Sequence, residues 1–367
     1  DIEAAYGDKL RPMDAFKDSA PAELVDCVGH DDLMVLMFTS GTTGRSKAVM
    51  LSERNFFTTV ECQVKFGDAM LDYKHEHMPE DKNDVLSNFA ILPLFHLGTF
   101  ICLFVWACKG WALNLSADIR DFYRDLGLMH SDAIAVAPML MEAIYKDVKR
   151  GRRARLNGIW NPCGSSAMFD GAMLAELAQQ GMMITQVYGM TETCGDGIIN
   201  YEQDEKHIRA VGKPDDHAEY KLDETGEICI RGGCVMLGYY KDPEATAEVL
   251  DADGWFHTGD LARVDEDGFY YITGRKKNII ILDNGENVSP EELENLLSKC
   301  EAVKECIVRE KGKKICAVIY CGEADQQTVR DFITETNRTL PLYKRMSAVE
   351  FSTEPLPRTG TGKLLRK

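Results

Sequence analysis

Short apolar runs alternate with helical patterns through the first half of the chain, and this alternation constrains the fold most. The runs at residues 33–39, 132–137 and 182–187 have the length of strands, and the first reads as a buried strand that leads into a turn. Residues 51–66 and 170–180 have the spacing of amphipathic helices. Because parallel strands need a crossover helix between them, this order predicts an α/β core with mixed, largely parallel sheets flanked by helices.

The second half of the chain has a different sequence pattern. After residue 215 come short strand patterns separated by Gly, Asp and Asn turns, such as GEICIRG and GFYYITG. A helix is predicted to begin at Ser289, where Pro290 takes the first helical position and Glu292 completes a capping box. We expect residues 1–276 to form a large core and residues 277–367 a small, mobile α+β domain.

Charge and composition exclude several classes of function. A net charge of -17 disfavours general nucleic-acid binding, which requires a basic face. The 12 cysteines are scattered without a C-x-x-C pair, which indicates reduced thiols and a cytoplasmic location. No run approaches the roughly 18 apolar residues of a membrane span. The basic run at residues 149–155 is expected to be a solvated helix end, with peripheral contact to an anionic membrane as the alternative.

The first chemical motif is a Gly/Thr-rich loop that ends in a lysine. Glycines admit close approach of the backbone to a ligand, hydroxyls and amides donate hydrogen bonds, and the lysine adds a positive charge, which together suit a triphosphate. The loop is not a Walker A motif, because that motif has glycine directly before its lysine and Ser46 stands there. The alternative is an ordinary turn. The loop comprises Thr39, Ser40, Gly41, Thr42, Thr43, Gly44, Arg45, Ser46 and Lys47.

Three further blocks follow. YGMTET at residues 188–193 combines an aromatic ring that can stack on a base with a glutamate, the hard oxygen ligand that Mg²⁺ prefers. GWFHTGD at residues 254–260, followed by Gly274-Arg275, offers a carboxylate for a ribose diol and a nearby cation. LPRTGTGK at residues 356–363 carries a lysine on a glycine-rich tail. Their structural alternatives are a common loop, a hairpin turn with a surface ion pair, and a disordered chain end.

These four blocks, in this order and at these spacings, resemble the adenylate-forming superfamily of acyl- and aryl-CoA synthetases, luciferases and adenylation domains of peptide synthetases. The resemblance extends from Thr39 to Lys363. It implies ATP, Mg²⁺ and coenzyme A as cofactors, with a carboxylic acid as substrate. Family members carry a much longer segment before the Gly-rich loop than the 38 residues here. We therefore expect a fragment that lacks an N-terminal subdomain, exposes apolar surface, and associates or lacks full activity when expressed alone.

The resemblance also implies a role for individual residues. Residues 39–47 would cover the β- and γ-phosphates, Thr191 would contact the α-phosphate, and Glu192 would bind Mg²⁺. Asp260 would hold the ribose hydroxyls with help from Arg275. The adenine would stack on Tyr188 and be bordered by Gly164, Ser165, Ser166, Gly189 and Met190.

Four further positions are implied to serve the two half-reactions. Lys363 would be the adenylation lysine, bridging the carboxylate and the α-phosphate. Lys277 would be the hinge whose rotation withdraws Lys363 and brings in Gly285, which lets the thiol reach the adenylate. His96 would border the acyl pocket and thiol tunnel; its alternative is a core histidine bonded to the backbone.

The nature of the acid is the least constrained point. The stretch RKKNIIILDNGENVSPEELE resembles medium- and long-chain fatty acyl-CoA synthetases, and no aspartate stands near His96 to pair with an amino-acid ammonium. The leading hypothesis is a fatty acyl-CoA ligase. An aryl-CoA ligase, an acyl-AMP ligase that loads a carrier protein, and a non-catalytic nucleotide-binding protein are the alternatives. Chain length and oligomeric state are left open by the sequence.

Overall fold

The computed structural model describes residues 29–39, 47–116, 118–165, 169–195, 197–282, 286–312, 314–358 and 364–365. In chain order its strands are β1 (Leu33–Thr39), β2 (Lys47–Ser52), β3 (Ser87–Ala90), β4 (Ala112–Leu115), β5 (Ala133–Val136), β6 (Asn161–Ser165), β7 (Thr185–Gly189), β8 (Gly197–Asn200), β9 (Ala218–Leu222), β10 (Glu227–Gly232), β11 (Gly238–Tyr239), β12 (Phe256–Val264), β13 (Tyr270–Arg275), β14 (Ile280–Ile281), β15 (Asn287–Val288), β16 (Glu305–Lys311), β17 (Lys314–Tyr320) and β18 (Ala348–Ser352). Its α-helices are α1 (Glu53–His77), α2 (Leu97–Lys109), α3 (Phe122–Leu128), α4 (Pro138–Lys149), α5 (Gly171–Gln179), α6 (Pro243–Ala247), α7 (Pro290–Leu297) and α8 (Gln326–Thr339).

The central sheet has six strands in the order β4-β3-β5-β6-β7-β8. Its first five strands are parallel, and β8 runs antiparallel to β7. The expected α/β core with a mixed, largely parallel sheet is confirmed. Because β6 and β7 are parallel neighbours, their carboxyl ends at Ser165 and Gly189 lie at the same edge of the sheet, which is where such sheets bind ligands.

Helices cover both faces of this sheet, because successive side chains of a strand point to opposite sides. On β5, Ala133 packs in a cluster with Phe56 of α1 and Ile101 of α2. Its neighbour Ile134 packs in a second cluster with helices α3, α4 and α5. Burial of each large apolar side chain contributes about 1.5–3 kcal/mol, so these two layers hold the sheet edge in place.

A second sheet in the order β1-β2-β11 is antiparallel. The prediction that β1 is a buried strand was wrong, since only Met37 of this strand is buried. Leu33 and Met34 are exposed, and Phe38 keeps 68% of its surface accessible. The physical reason is that β1 is an edge strand and, among the described residues, only one of its faces is covered. Three apolar side chains of β1 are therefore exposed.

Three further sheets occur among the described residues, the smallest being the antiparallel pair β14-β15. An antiparallel sheet has the order β13-β12-β10-β9, and a three-stranded sheet, β16-β17-β18, pairs β17 with β18 in parallel. One core cluster draws its buried members from Ile280 to Met346 and includes residues of α7, α8 and these last strands. The C-terminal part of the chain thus has its own α+β core.

The predicted capping box at the start of α7 is not formed. Ser289 is the N-cap residue and Pro290 takes the first helical position, as expected, but the serine makes no capping hydrogen bond. Its hydroxyl lies 2.6 Å from the Thr273 carbonyl on β13, and Glu292 accepts hydrogen bonds from Lys344 instead. Tertiary partners compete successfully for both side chains.

Helix α1 is longer than the sequence pattern predicts. It continues to His77, well beyond the predicted end at Phe66, and includes the polar segment with His75 and His77. His75 pairs with Asp84 at 2.7 Å, and the His77 ring stacks on Tyr73. Neither histidine needs a metal to explain its position.

The arginines of the basic run at residues 149–155 contact neighbouring parts of the fold. Arg153 donates to the carbonyls of Gln180 and Gly181 just after α5. Arg155 pairs with Asp147 at 3.1 Å and lies over the Tyr123 ring.

The described cysteines are thiols rather than disulfides. Within the described chain, no helix has both the length and the hydrophobicity needed to cross a membrane.

Candidate nucleotide-binding site

The edge of the central sheet carries the YGMTET motif. Strand β7 ends at Gly189, and a single 3-10 turn, Thr191–Thr193, follows it. The Gly195 amide donates to the Met190 carbonyl at 2.8 Å, and Cys194 takes a left-handed conformation with φ 56° that closes the turn. Thr191 and Glu192 are therefore held in a rigid turn directly at the carboxyl end of the sheet.

Glu192, Tyr239 and Lys47 form one connected group. The Tyr239 hydroxyl donates to Glu192 Oε1 at 2.9 Å, and the Lys47 ammonium lies over the Tyr239 ring, 4.4 Å from its centre. Burial and the Glu192 carboxylate both raise the pKa of Tyr239, so the phenol stays neutral. A neutral donor orients the glutamate without cancelling its charge, which suits a carboxylate that is to bind Mg²⁺.

The second group is formed by Tyr188, Asp260 and Arg275. Asp260 is 3% exposed; its Oδ2 accepts from the Tyr188 hydroxyl at 3.1 Å, and its Oδ1 lies 2.6 Å from Arg275 Nε. Asp260 and Arg275 are direct partners across β12 and β13. Each carboxylate oxygen can accept a further hydrogen bond. Burial raises the pKa of Tyr188, so this phenol is also a neutral donor.

Beside Arg275 lies a charged cluster around the buried Glu227. Its Oε1 accepts from the Gly259 amide at 2.7 Å, and its Oε2 lies 2.7 Å from the Lys276 ammonium. The hydrogen bond to Glu227 raises the pKa of Lys276. An open pocket of about 320 Å³ adjoins this pair and is lined by Thr258, Gly259, Arg275, Lys276 and Lys277.

The residues at the end of β6 lie next to this edge. Gly164 and Ser165 are register partners of Gln186 and Val187 on β7. Gly164 packs directly against the Phe169 ring, and a side chain at this position would collide with it. Burial raises the pKa of the neighbouring Cys163 to about 12, so this residue is an inert thiol.

His96 stands at the start of α2 and is exposed. Its carbonyl accepts from the Phe100 amide at 3.0 Å, and the following residue, Leu97, packs near Gly195 at the end of the YGMTET turn. The structure therefore places the segment around His96 next to the turn that carries the YGMTET motif. The alternative of a buried core histidine was wrong.

Several predicted residues lie outside the described residues. They are Ser40, Gly41, Thr42, Thr43, Gly44, Arg45, Ser46, Ser166, Gly285 and Lys363. The chain on both sides of Lys363 is described: Arg358 bridges to Leu364, and its guanidinium lies 2.7 Å from Glu305 on β16. Lys277, the predicted hinge, is exposed in the turn between β13 and β14.

Sequence reasoning missed Tyr239 and Glu227. Tyr239 is 47 positions from Glu192, and only the pairing of β11 with β2 brings its ring to Lys47. A weak local signal exists in Gly238, whose φ of 135° marks a special backbone turn just before the tyrosine. From the sequence, Glu227 is predicted only as part of a strand.

Comparison with known proteins identifies the family of this chain. The sequence profile of the AMP-binding enzyme family matches residues 3–240, and that of the AMP-binding enzyme C-terminal domain matches residues 292–363. The chain belongs to the AMP-binding enzyme family.

Curated relatives include ligases for several acids. A 4-coumarate–CoA ligase of Oryza sativa is 30% identical over 96% of this chain and 66% of the relative. A long-chain-fatty-acid–CoA ligase of Salmonella typhimurium is 30% identical over 92% of this chain and 61% of the relative. A feruloyl-CoA synthase of Amycolatopsis is 32% identical over 99% of this chain and 74% of the relative. The chain thus spans less than two thirds of the length of the first two.

Solved structures share the fold. An o-succinylbenzoate coenzyme A synthetase from Bacillus subtilis, in complex with ATP and magnesium, has a TM-score of 0.76 at 25% identity, covering 96% of this chain and 73% of the neighbour. ATP-bound MatB from Rhodopseudomonas palustris has a TM-score of 0.77 at 25% identity, covering 96% and 70%.

Proposed function

We propose that this chain is an ATP-dependent ligase that joins a carboxylic acid to coenzyme A through an acyl-adenylate. The observation that carries the proposal is the convergence of two groups at the carboxyl end of β7. One group combines Lys47, Tyr239 and Glu192. The other combines Tyr188, Asp260 and Arg275. Lys47 supplies a cation, Glu192 a proposed magnesium ligand, and Asp260 a carboxylate that can bind a ribose diol. Together these groups suit a nucleoside triphosphate.

At the phosphate end, the chain supplies opposite charges with different tasks. Lys47 and the loop from Thr39 would hold the β- and γ-phosphates, and Thr191 the α-phosphate. Glu192 would hold Mg²⁺, which when bound neutralises phosphate charge and orients the leaving pyrophosphate. Tyr239 keeps the glutamate oriented through its hydrogen bond at 2.9 Å.

At the nucleoside end, Asp260 would accept hydrogen bonds from the ribose hydroxyls. Arg275 and the Tyr188 hydroxyl already fix the orientation of its carboxylate. The adenine would lie against the Tyr188 ring, with Gly189 and Met190 on the same segment and the backbone of Gly164, Ser165 and Ser166 at its edge. Only 9% of Tyr188 is exposed, so the ring is held rigidly.

The reaction would proceed in two steps. A carboxylate oxygen attacks the α-phosphorus and pyrophosphate leaves, with Lys363 offsetting the charge that builds between the two anions. The thiolate of coenzyme A then attacks the acyl carbon, and AMP leaves. We assign residues 1–276 to the core, residues 277–367 to a mobile domain and Lys277 to the hinge, with Gly285 admitting the thiol. The separate core between Ile280 and Met346 supports this division.

For the acid, a fatty acid is the leading candidate. The exposed His96 and the aromatic residues of α2, Phe100 and Phe104, which pack on Phe56, suit an apolar acyl group. The curated relatives that act on 4-coumarate and ferulate favour an aryl acid as the second candidate.

The test is carboxylate-dependent ATP–pyrophosphate exchange over a panel from acetate to palmitate, with benzoates, cinnamates and amino acids, followed by detection of acyl-CoA. In Lys363→Ala, adenylation should collapse while thioester formation from supplied acyl-AMP survives. Lys299→Ala, an exposed lysine of the same region, serves as the control and should change neither step.

Each outcome separates the alternatives. Exchange without acyl-CoA release would identify an acyl-AMP ligase that loads another acceptor. Binding of ATP without exchange for any acid would identify a non-catalytic nucleotide-binding protein and overturn the ligase proposal.

A further inference from the structure

The pairing of β10 with β12 is irregular just where Asp260 lies. The register shifts between Glu227 and Cys229 of β10, so that Ile228 alone faces residues 258–260 of β12. A bulge of this kind bends the strand and re-aims a side chain, and such bulges are frequent beside active sites. The bulge therefore determines where the backbone of Asp260 stands and in which direction its carboxylate projects.

The Thr258 side chain fixes this bulge from the inside. Its hydroxyl donates to the Ile228 carbonyl at 2.8 Å and accepts from the Asp260 amide at 3.1 Å. Thr258 is only 6% exposed, and Ile228 and Asp260 are buried as well. One buried hydroxyl thus joins the neighbouring strand to the backbone from which the Asp260 side chain projects, and it does so out of reach of competing water.

We propose that Thr258 is a positioning residue for nucleotide binding that acts through Asp260. The inference rests on the proposed role of Asp260 as the acceptor for the ribose hydroxyls. Tyr188 and Arg275 orient the end of the Asp260 side chain, whereas the Thr258 hydroxyl sets the position of its backbone. Hydrogen bonds weaken steeply with poor angles, so a carboxylate that serves two adjacent hydroxyls tolerates little displacement.

Thr258 also lies close to the ring that is proposed to stack on adenine. Burial raises the pKa of Tyr188, the Asp260 carboxylate adds to this effect, and the Thr258 hydroxyl acts in the opposite direction. The hydroxyl can do so only if it lies near the phenol. Thr258 therefore relates the proposed adenine neighbour to the proposed ribose acceptor.

The middle residue of the bulge is held by a different group. Gly259 has a φ of 72°, in the left-handed region that glycine adopts without strain. Its amide donates to Glu227 Oε1 at 2.7 Å, and the same carboxylate binds Lys276. Glu227 thus connects the bulge to the residue before the proposed hinge, whereas Thr258 connects it to Asp260. Loss of the Thr258 hydroxyl should therefore weaken nucleotide binding.

The test is equilibrium binding of ATP and of 2′,3′-dideoxy-ATP to the intact chain in the presence of Mg²⁺, measured by titration calorimetry. The analogue lacks both ribose hydroxyls, so the parent should bind it more weakly than ATP. Thr258→Val keeps nearly the same shape and removes the hydroxyl. We expect this variant to bind ATP about 10-fold more weakly and to change much less in its binding of the analogue, so that the preference for ATP falls.

The conservative variant and a matched control accompany this comparison. Thr258→Ser keeps a hydroxyl and should retain most of the preference for ATP. Thr334→Val removes an exposed hydroxyl on α8 that also donates to a backbone carbonyl, and it should bind both nucleotides as the parent does. Circular dichroism and Tm establish that each variant is folded, and Thr258→Ala takes the place of Thr258→Val if the valine variant does not fold.

Two results for Thr258→Val would overturn the proposal. Equal weakening for ATP and the analogue would show that the hydroxyl supports the fold without acting on ribose recognition, and unchanged binding of both would show that it has no role. A parent without preference for ATP over the analogue would also overturn it. A parent that binds ATP but supports no pyrophosphate exchange would contradict the ligase proposal alone, because the binding comparison would still decide the role of Thr258.

Discussion

At the residue scale, Tyr239 connects two motifs that are far apart in the chain. Its hydroxyl orients Glu192, and its ring holds the Lys47 ammonium through a cation–π contact. One side chain thus relates the position of the proposed magnesium ligand to that of the proposed phosphate-binding lysine. The Tyr239 hydroxyl contacts Glu192 and its ring contacts Lys47, so a substitution that removes only the hydroxyl separates the two effects.

Tyr239→Phe removes the hydroxyl and keeps the ring. We expect the Mg²⁺ concentration for half-maximal ATP–pyrophosphate exchange to rise about 10- to 100-fold, because Glu192 loses the donor that orients it. Lys47 should keep its aromatic contact, so KM for ATP at saturating Mg²⁺ should change much less. Tyr240→Phe, at the exposed neighbour, is the control. An unchanged Mg²⁺ dependence would show that the hydrogen bond has no role in metal binding.

At the element scale, the loop after β8 is joined to the β12–β13 turn by a histidine. His207 Nδ1 lies 2.9 Å from Asp204 and its Nε2 lies 3.2 Å from Asp267, while its ring stacks on Phe269. Asp265 and the Lys206 ammonium also face this cluster. The hydrogen bond to Asp204 raises the pKa of His207. The contact therefore depends on the protonation of the histidine.

The pH dependence of stability follows from the raised pKa. The stabilisation by His207 should be complete below the unfolded pKa of about 6.5 and be lost as pH rises through the higher folded pKa. The difference in Tm between the parent and His207→Gln should therefore be largest at acidic pH and shrink toward alkaline pH. His77→Gln, whose ring bonds a backbone carbonyl, is the control. A difference that grows with pH would contradict this assignment.

At the scale of the whole molecule, a buried carboxylate fixes the core side of the proposed junction with the C-terminal part. Glu227 has a side chain only 4% exposed, and it binds Lys276, the residue before the proposed hinge Lys277. Ser289 binds the Thr273 carbonyl from the other side of the junction. The Ser289 contact crosses the proposed hinge and the Glu227 contact fixes its core side. Under the proposed mechanism, the strength of both contacts should therefore influence how the chain divides its time between the two half-reactions.

Glu227→Gln should alter the balance between the half-reactions. The amide oxygen can still accept from Gly259, but Lys276 loses its counter-ion, an interaction worth about 1–3 kcal/mol. We expect the ratio of ATP–pyrophosphate exchange to thioester formation from supplied acyl-AMP to change several-fold. Lys276→Met breaks the same pair and should shift the ratio in the same direction. Equal loss of both activities would indicate a purely structural role.

The sequence by itself determined the class of fold and most of the proposed site. The spacing of apolar residues in strands and helices is a local property of the sequence. The order of strands and helices, and the change to short strands near residue 215, could therefore be predicted. The motifs around Thr39, Tyr188 and Asp260 are short and contiguous, and the sheet edge brings the last two together. Their chemistry follows from residue type.

Only the tertiary structure decided which distant groups meet. The Tyr239–Glu192 hydrogen bond and the Glu227–Lys276 ion pair depend on how strands pack, and no local sequence pattern encodes them. The same holds for Ser289, which binds Thr273 rather than capping its own helix. A polar side chain takes whichever partner packing brings nearest, so its partner is a property of the folded molecule.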